Sequence, residues 1–300
     1  MITFSSMVLM GPLISLSSTN WLLLWGGMEI SLMGLLPIMN MNKNIMALES
    51  SMKYFLFQAY ASIMVLIGGI SFVLTLHTNY LHLFLIITGL LIKMGMFPLH
   101  FWVIPVVMGS KYSHMMYLLG PMKVVPLMLL THITKIDLLN NFYFFVSILS
   151  MFMGSLLGNN STNTRAMLGA SSINHSGWML LSCQIGMGWN YFFTYMISLI
   201  MLLLMIISHS SSLSSLLLLN LSGLPPFLLF AIKFNVLYYV VINLSYILII
   251  FIIILSALMG LNFYLKFSYL FMLMGDEKHH YLLVSLSILL LTGGIIMLTL

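Results

Sequence analysis

The runs Leu199–Ile207 and Tyr246–Leu255 are apolar on every face. Such a segment has no side to turn toward water, so it belongs either inside a large protein or in lipid. Composition decides between the two. The 300 residues are 61% hydrophobic and 5% charged, whereas a soluble domain carries about a quarter of its residues as charges. Only helices and closed barrels satisfy their backbone in hydrocarbon. Barrel strands alternate polar and apolar residues with period two, which these runs do not. The chain reads as an all-α integral membrane protein.

A membrane helix uses about 20 apolar residues. Turn residues and polar breaks divide the hydropathy into eleven expected helices, near 2–18, 21–40, 52–76, 81–100, 112–132, 141–158, 165–184, 190–208, 213–240, 244–268 and 281–299. No connection is long enough for a separate soluble domain, so 1–300 is expected to form a single polytopic membrane domain. The first segment has no basic n-region and no A-x-A-like cleavage site, and it is read as a retained helix rather than a signal peptide. Loops after even-numbered helices, with their flanking helix ends, hold Lys43, Lys53, Lys111, Arg165, Lys266 and Lys278, whereas the opposite loops hold Lys135 beside Asp137. The positive-inside rule then places the N-terminus in the positive-inside compartment. An odd helix count places the C-terminus on the other side.

Several function classes are excluded. The net charge of +5 comes from 10 basic and 5 acidic residues spread along the chain, with no cluster of the kind that binds nucleic acid. A single cysteine, Cys183, leaves no internal disulfide and no Cys-ligated zinc or iron–sulfur cluster. There is no G-x-G-x-x-G, P-loop or CxxC motif, and no spaced histidine pair that suggests haem. No cofactor is expected, and any redox chemistry belongs to another chain. The 29 methionines fit a gap-filling role in packing.

Two of the expected helices are interrupted. The fourth reads Ile92-Lys93-Met94-Gly95-Met96-Phe97-Pro98, and the ninth reads Ser222-Gly223-Leu224-Pro225-Pro226-Phe227 with Lys233 following. Proline removes an amide donor, and in lipid the freed carbonyls need protein or water partners. Gly/Pro-broken spans at corresponding positions of two halves point to a transport site between inverted repeats. Helices 1–5 and 6–10 each place the broken span fourth, with helix 11 outside the repeats.

Most charges fall at loops or helix ends, where solvation or snorkelling explains them. Lys53, just inside helix 3, is open to either a structural or a functional reading. Glu29, Lys93, Lys123 and Lys233 lie inside expected helices. A central charge costs about 2.5–3.5 kcal/mol on insertion scales, so four unpaired charges would cost roughly 10–14 kcal/mol, comparable to a whole protein's stability. Ion pairs that hold helices together are one reading. Three lysines cannot all pair with one glutamate, however, and a lysine shielded from water can exchange protons near neutral pH. A proton relay is the other reading. His175 sits mid-helix in Ser171-Ser172-Ile173-Asn174-His175-Ser176-Gly177-Trp178. Such a stretch could line a water wire or bond across a tight helix interface.

At these residues the sequence resembles a known family. The blocks Trp21–Glu29, Lys53-Tyr-Phe-Leu-Phe-Gln58, Lys93-Met-Gly-Met-Phe-Pro-Leu-His-Phe-Trp102, Ser171–Trp178 and Gly223-Leu-Pro-Pro226 with Lys233 are similar, in order, to mitochondrial NADH dehydrogenase subunit 2. That family belongs to the antiporter-like membrane subunits of respiratory complex I. After Lys233 the similarity is one of hydropathy. The resemblance implies eleven helices, because animal members lack three N-terminal helices of the bacterial form. It also implies two inverted five-helix repeats and a polar axis along the midplane. Carried over by position, Glu29 is the acidic partner, Lys93 the broken-helix lysine it tunes, Lys123 the central relay and Lys233 the lysine near proton exit. Thr164-Arg165-Ala166 departs from relatives that carry a further basic residue there. Implied partners are the other membrane subunits of complex I and membrane lipid, cardiolipin included, with no nucleic acid and no direct NADH binding. The implied location is the mitochondrial inner membrane, N-terminus in the matrix. Three functions compete: a proton-translocating subunit driven by remote quinone reduction, a free-standing cation/proton antiporter subunit, and a structural membrane spacer.

Overall fold

The structure is a computed structural model that describes residues 2–41, 44–75, 80–134, 139–225, 227–243 and 247–273. The expected helix at 281–299 and the charged segment 276–280 lie outside the described residues. Among the described residues all regular structure is helical, and the chain divides into two compact units, Met1–Ile136 and Asp137–Leu300. Among the described residues six stretches are long and apolar enough to cross a membrane: Trp21–Asn40, Ile45–Leu74, Tyr112–Ile133, Asn140–Asn160, Gly188–Ile207 and Ile250–Leu273. Leu22, Leu56, Phe84, Phe145 and Leu258 are more than half exposed. Apolar surface on that scale suits lipid rather than water.

The first unit holds α1 (Ile2–Ser17), α2 (Trp21–Asn40), α3 (Ile45–Thr75), α4 (Tyr80–Met94), α5 (Val103–Gly109), α6 (Tyr112–Leu119), a 3-10 turn (Pro121–Lys123) and α7 (Val124–Ile133). Lipid tails are as apolar as leucine, so helices in a bilayer associate by close packing rather than by hydrophobic exclusion. The α1/α2 pair shows how close. A Cβ on Gly11 would stand 2.6 Å from the Gly27 carbonyl oxygen, and one on Gly27 would stand 2.6 Å from the Gly11 carbonyl oxygen. Only two glycines allow the backbones this approach.

Three boundaries differ from the sequence reading. Helix α3 begins at Ile45 rather than near 52. Its polar start resembles a loop, but Ser50 and Ser51 donate their hydroxyls to the carbonyls of Ala47 and Leu48, each at 2.8 Å, which keeps them compatible with helix. The expected helix 112–132 is not continuous, because Gly120-Pro121 breaks it and the chain passes through the 3-10 turn before α7. The expected fourth helix ends at Met94 rather than near 100, and the apolar run 103–109 forms a separate short helix.

The second unit holds α8 (Asn140–Asn160), α9 (Thr164–Gln184), α10 (Gly188–Ile207), α11 (Ser211–Ser222), α12 (Leu228–Asn243) and α13 (Ile247–Leu273). Helix α9 is its centre, with every residue from Ala166 to Cys183 buried. It is also the most polar helix of this unit in its middle, and its serines settle their hydroxyls on their own helix: Ser171, Ser172 and Ser176 donate to Leu168, Gly169 and Ile173 at 2.7–2.8 Å. Gly154 of α8 lets α9 approach to where a Cβ would lie 2.5 Å from the Asn174 amide nitrogen.

Candidate functional site

In the first unit, α4 ends because Gly95 takes a left-handed φ of +70°. Its amide donates to the Ile92 carbonyl and the Met96 amide donates to Leu91, both at 3.0 Å. The buried Trp102 indole adds a third donor, Nε1 to the Ile92 carbonyl at 3.0 Å. A helix that stops inside a membrane leaves carbonyls that need such donors. Here the returning chain supplies them. Lys93 lies in the last turn of α4, where the helix dipole favours a cation, and is 7% exposed.

The Lys93 side chain lines a cavity of about 20 Å³ together with Ser31, Tyr54, Gln58, Met122 and Pro126. Roughly 10–15 Å³ of this kind of space holds one water, provided polar partners are present, and this wall offers several. Glu29, part-buried on α2, has one carboxylate oxygen fully enclosed without a hydrogen-bond partner. Among the described residues no ion pair within 4.0 Å joins Glu29 to Lys93. Lys123, 5% exposed, closes the 3-10 turn, and its neighbours Met122, Val125 and Pro126 line the same cavity as Lys93. The structure therefore brings Lys93 and the Lys123 segment to one polar space. Lys53 is not part of it. That lysine pairs with Glu49 one turn earlier on α3, both side chains about half-exposed, an arrangement typical of helix surfaces.

The second unit repeats the device with different donors. Gly223, at φ +79°, ends α11, and its amide donates to the Asn220 carbonyl at 3.1 Å. Lys233 lies beyond the break on α12 but reaches back, donating to the carbonyls of Ser222 at 3.0 Å and Leu221 at 3.3 Å. Its ammonium also stands 5.7 Å from the centre of the Trp178 ring, an approach with cation–π character. Where the first break uses an indole N–H, the second uses the lysine itself.

His175 is fully buried, its Nδ1 2.8 Å from the Tyr191 hydroxyl and its Nε2 3.0 Å from the Tyr264 hydroxyl. Tyr195 packs against the imidazole at 4.8 Å between ring centres. Trp178 stacks on Tyr191 with an interplanar angle of 6°. Trp178 thus touches both Lys233 and the histidine cluster. Sequence reasoning singled out His175 but missed the three tyrosines. The available signal was weak: Tyr191 and Tyr195 fall at i and i+4 beside Asn190 and Thr194 near the start of their helix, and Tyr264 lies in the region that carried no motif. Tyr54 was quoted within a motif and given no role.

Residues 18–215 match the family model described as NADH:quinone oxidoreductase/Mrp antiporter, TM. The NADH-ubiquinone oxidoreductase chain 2 of Albinaria caerulea is 40% identical over 283 residues, which cover 94% of this chain and 91% of that one. This chain belongs to the NADH-ubiquinone oxidoreductase chain 2 family. The chain 2 protein of Anopheles gambiae is 36% identical over 93% of this chain and 88% of its own length. Among solved structures, a chain of respiratory complex I from Thermus thermophilus with bound aureothin shares the fold at a TM-score of 0.82 and 19% identity, covering 97% of this chain and 76% of that one. As a member of the chain 2 family, the protein has an antiporter-like membrane domain built of transmembrane helices.

Proposed function

We propose that this chain translocates protons in the membrane arm of a mitochondrial NADH:ubiquinone oxidoreductase, driven by quinone reduction elsewhere in the complex. One observation carries the reading. Lys93, Lys123 and Lys233, each between 5% and 8% exposed, all stand at helix interruptions. A structural charge is best placed on a regular helix facing a carboxylate. A charge that must gain and lose a proton needs polar surroundings that tolerate both states, and broken helices provide them through exposed carbonyls and cavities. Glu29 and Lys93 act as a switchable pair, Lys123 as the next carrier, and Lys233 as the carrier of the second unit with His175 beside it. Lys53 belongs to the surface. The names of the relatives support membership of the complex; its other membrane subunits and membrane lipid, cardiolipin included, are the proposed neighbours, and the mitochondrial inner membrane is the proposed location. We further propose that the chain has eleven helices, with helices 1–5 and 6–10 as inverted repeats.

Glu29→Gln tests the switch. The amide keeps the shape and removes the charge that acts on Lys93. The assembled variant is expected to slow coupled turnover several-fold, measured as quinone reduction and proton uptake in sealed vesicles with assembly checked separately. Normal pumping would refute the tuning role.

The sidedness proposal is tested separately. The distribution of lysine and arginine places the N-terminus and residues 276–280 together on the matrix side. Protease protection or cysteine labelling of oriented membranes is expected to find both on that side. Opposite sides would end the eleven-helix topology.

A further inference from the structure

The geometry points to Tyr191 and Tyr264 as proton-carrying partners of His175, so that three side chains on α10, α9 and α13 form one hydrogen-bonded wire inside the second unit. This rests on the proton-translocation reading above and adds residues that reading does not contain. The residues Tyr191, His175 and Tyr264 are all fully buried. The imidazole holds Nδ1 at 2.8 Å from one hydroxyl and Nε2 at 3.0 Å from the other.

What matters is the kind of partner. A neutral imidazole has one N–H to give and one lone pair to offer. A backbone carbonyl or a carboxylate on one ring nitrogen fixes the tautomer, because it can only accept. A hydroxyl can donate or accept. With a hydroxyl on each side, both tautomers are satisfied: Nε2–H gives to Tyr264 while Tyr191 gives to Nδ1, or the reverse. Two phenols are a poor choice for holding a ring still and a good one for letting its proton change sides.

The step balances without any electron transfer. A proton reaching the Tyr191 oxygen forms a new O–H as the old hydroxyl proton moves to Nδ1. The ring is then an imidazolium and gives its Nε2 proton to the Tyr264 oxygen, while the Tyr264 hydroxyl proton passes to a water molecule as the next acceptor. One proton enters and one departs. The ring is left in the other tautomer with both hydroxyls reversed, and it must turn back before a second proton follows. At the entry end, Tyr191 stacks on Trp178, whose ring centre lies 5.7 Å from the Lys233 ammonium.

The competing role is a polar staple among three helices. Tyr264→Phe and Tyr191→Phe separate the two, because phenylalanine keeps the ring and its packing and removes the hydroxyl. In reconstituted complex, each variant is expected to assemble and to lose at least about tenfold of its coupled proton uptake. The double variant should lose no more than either single one, since a wire cut twice is still one cut wire. Proton uptake within twofold of normal in assembled Tyr264→Phe overturns the proposal, as do losses that add and track thermal stability. Should the variants not assemble, infrared difference spectra of the unmodified complex with ¹⁵N-labelled histidine decide instead. A tautomer change on turnover supports the wire, and its absence overturns it. Lys233→Arg distinguishes this failure from that of the parent reading. If that variant pumps normally, the second unit carries no lysine relay. If it is inactive while Tyr264→Phe pumps normally, only the wire is wrong.

Discussion

Replacing Lys93 by arginine is expected to leave the complex assembled and to remove at least about tenfold of its coupled quinone reduction and proton uptake, the low side of what a positioned proton-transfer group contributes. The variant keeps the positive charge at the end of α4, where the dipole favours it. If Lys93 served only to neutralise Glu29 and hold helices, arginine would serve as well or better. Its guanidinium, however, does not give up a proton in a working cycle. Lys93 lines a cavity of about 20 Å³, which gives the larger side chain some room. Near-normal pumping by the assembled variant would rule out protonation cycling at this position. The measurement is proton uptake and quinone reduction in sealed vesicles, with subunit content checked by gel.

The second large effect is structural and concerns two adjacent glycines with opposite expectations. Gly27→Val should prevent stable accumulation of the subunit. A Cβ there meets the Gly11 carbonyl at 2.6 Å and Ser15 at 3.0 Å, and backbone cannot swing aside as a side-chain tip can. Overpacking costs about 1–3 kcal/mol where neighbours can shift, and here α1 must move as a body. Gly26→Ala should be neutral or slightly stabilising, since nothing lies within 4 Å of a Cβ at that site and alanine is the better helix former by about 1 kcal/mol. Subunit abundance and thermal stability of the assembled complex check both. Equal behaviour of the two variants would mean that the α1/α2 backbone contact does not decide stability.

The sequence made the helical class legible because the apolar runs have no polar face, and it made both breaks legible because Gly95 with Pro98 and Gly223 with Pro225 stand inside apolar runs. It also singled out Lys93, Lys123 and Lys233, which the fold buries. The resemblance made Glu29 the acidic partner that tunes Lys93, and among the described residues no ion pair within 4.0 Å joins the two. Pairing of that kind depends on how α2 and α4 meet, which spacing along one chain does not encode. The start of α3 was hidden because Glu49, Ser50 and Ser51 look like loop residues until their i−3 hydrogen bonds and the Lys53 partner are seen. The tyrosines around His175 were hidden for a related reason. Tyrosine is ordinary in a membrane helix, and only the convergence of α9, α10 and α13 turns three of them toward one imidazole.

Helix α9 has a consequence for how the chain is made. Every residue from Ala166 to Cys183 is enclosed by protein, so this helix has no lipid-facing side that would reward it for entering a bilayer. It is absent from the six stretches apolar enough to span alone. During synthesis α9 emerges before α10 to α13, the helices that complete its surroundings, and a backbone paired within its own helix is all it can offer to lipid. Its serines partly solve this by bonding to their own carbonyls, whereas Asn174 and His175 cannot. The polar centre of the second unit is therefore inserted as a guest of α8, held at the Gly154 contact, and the timing of its later neighbours becomes part of the folding problem. The polar residues at the centre of α9 are the ones least able to enter the membrane unaided.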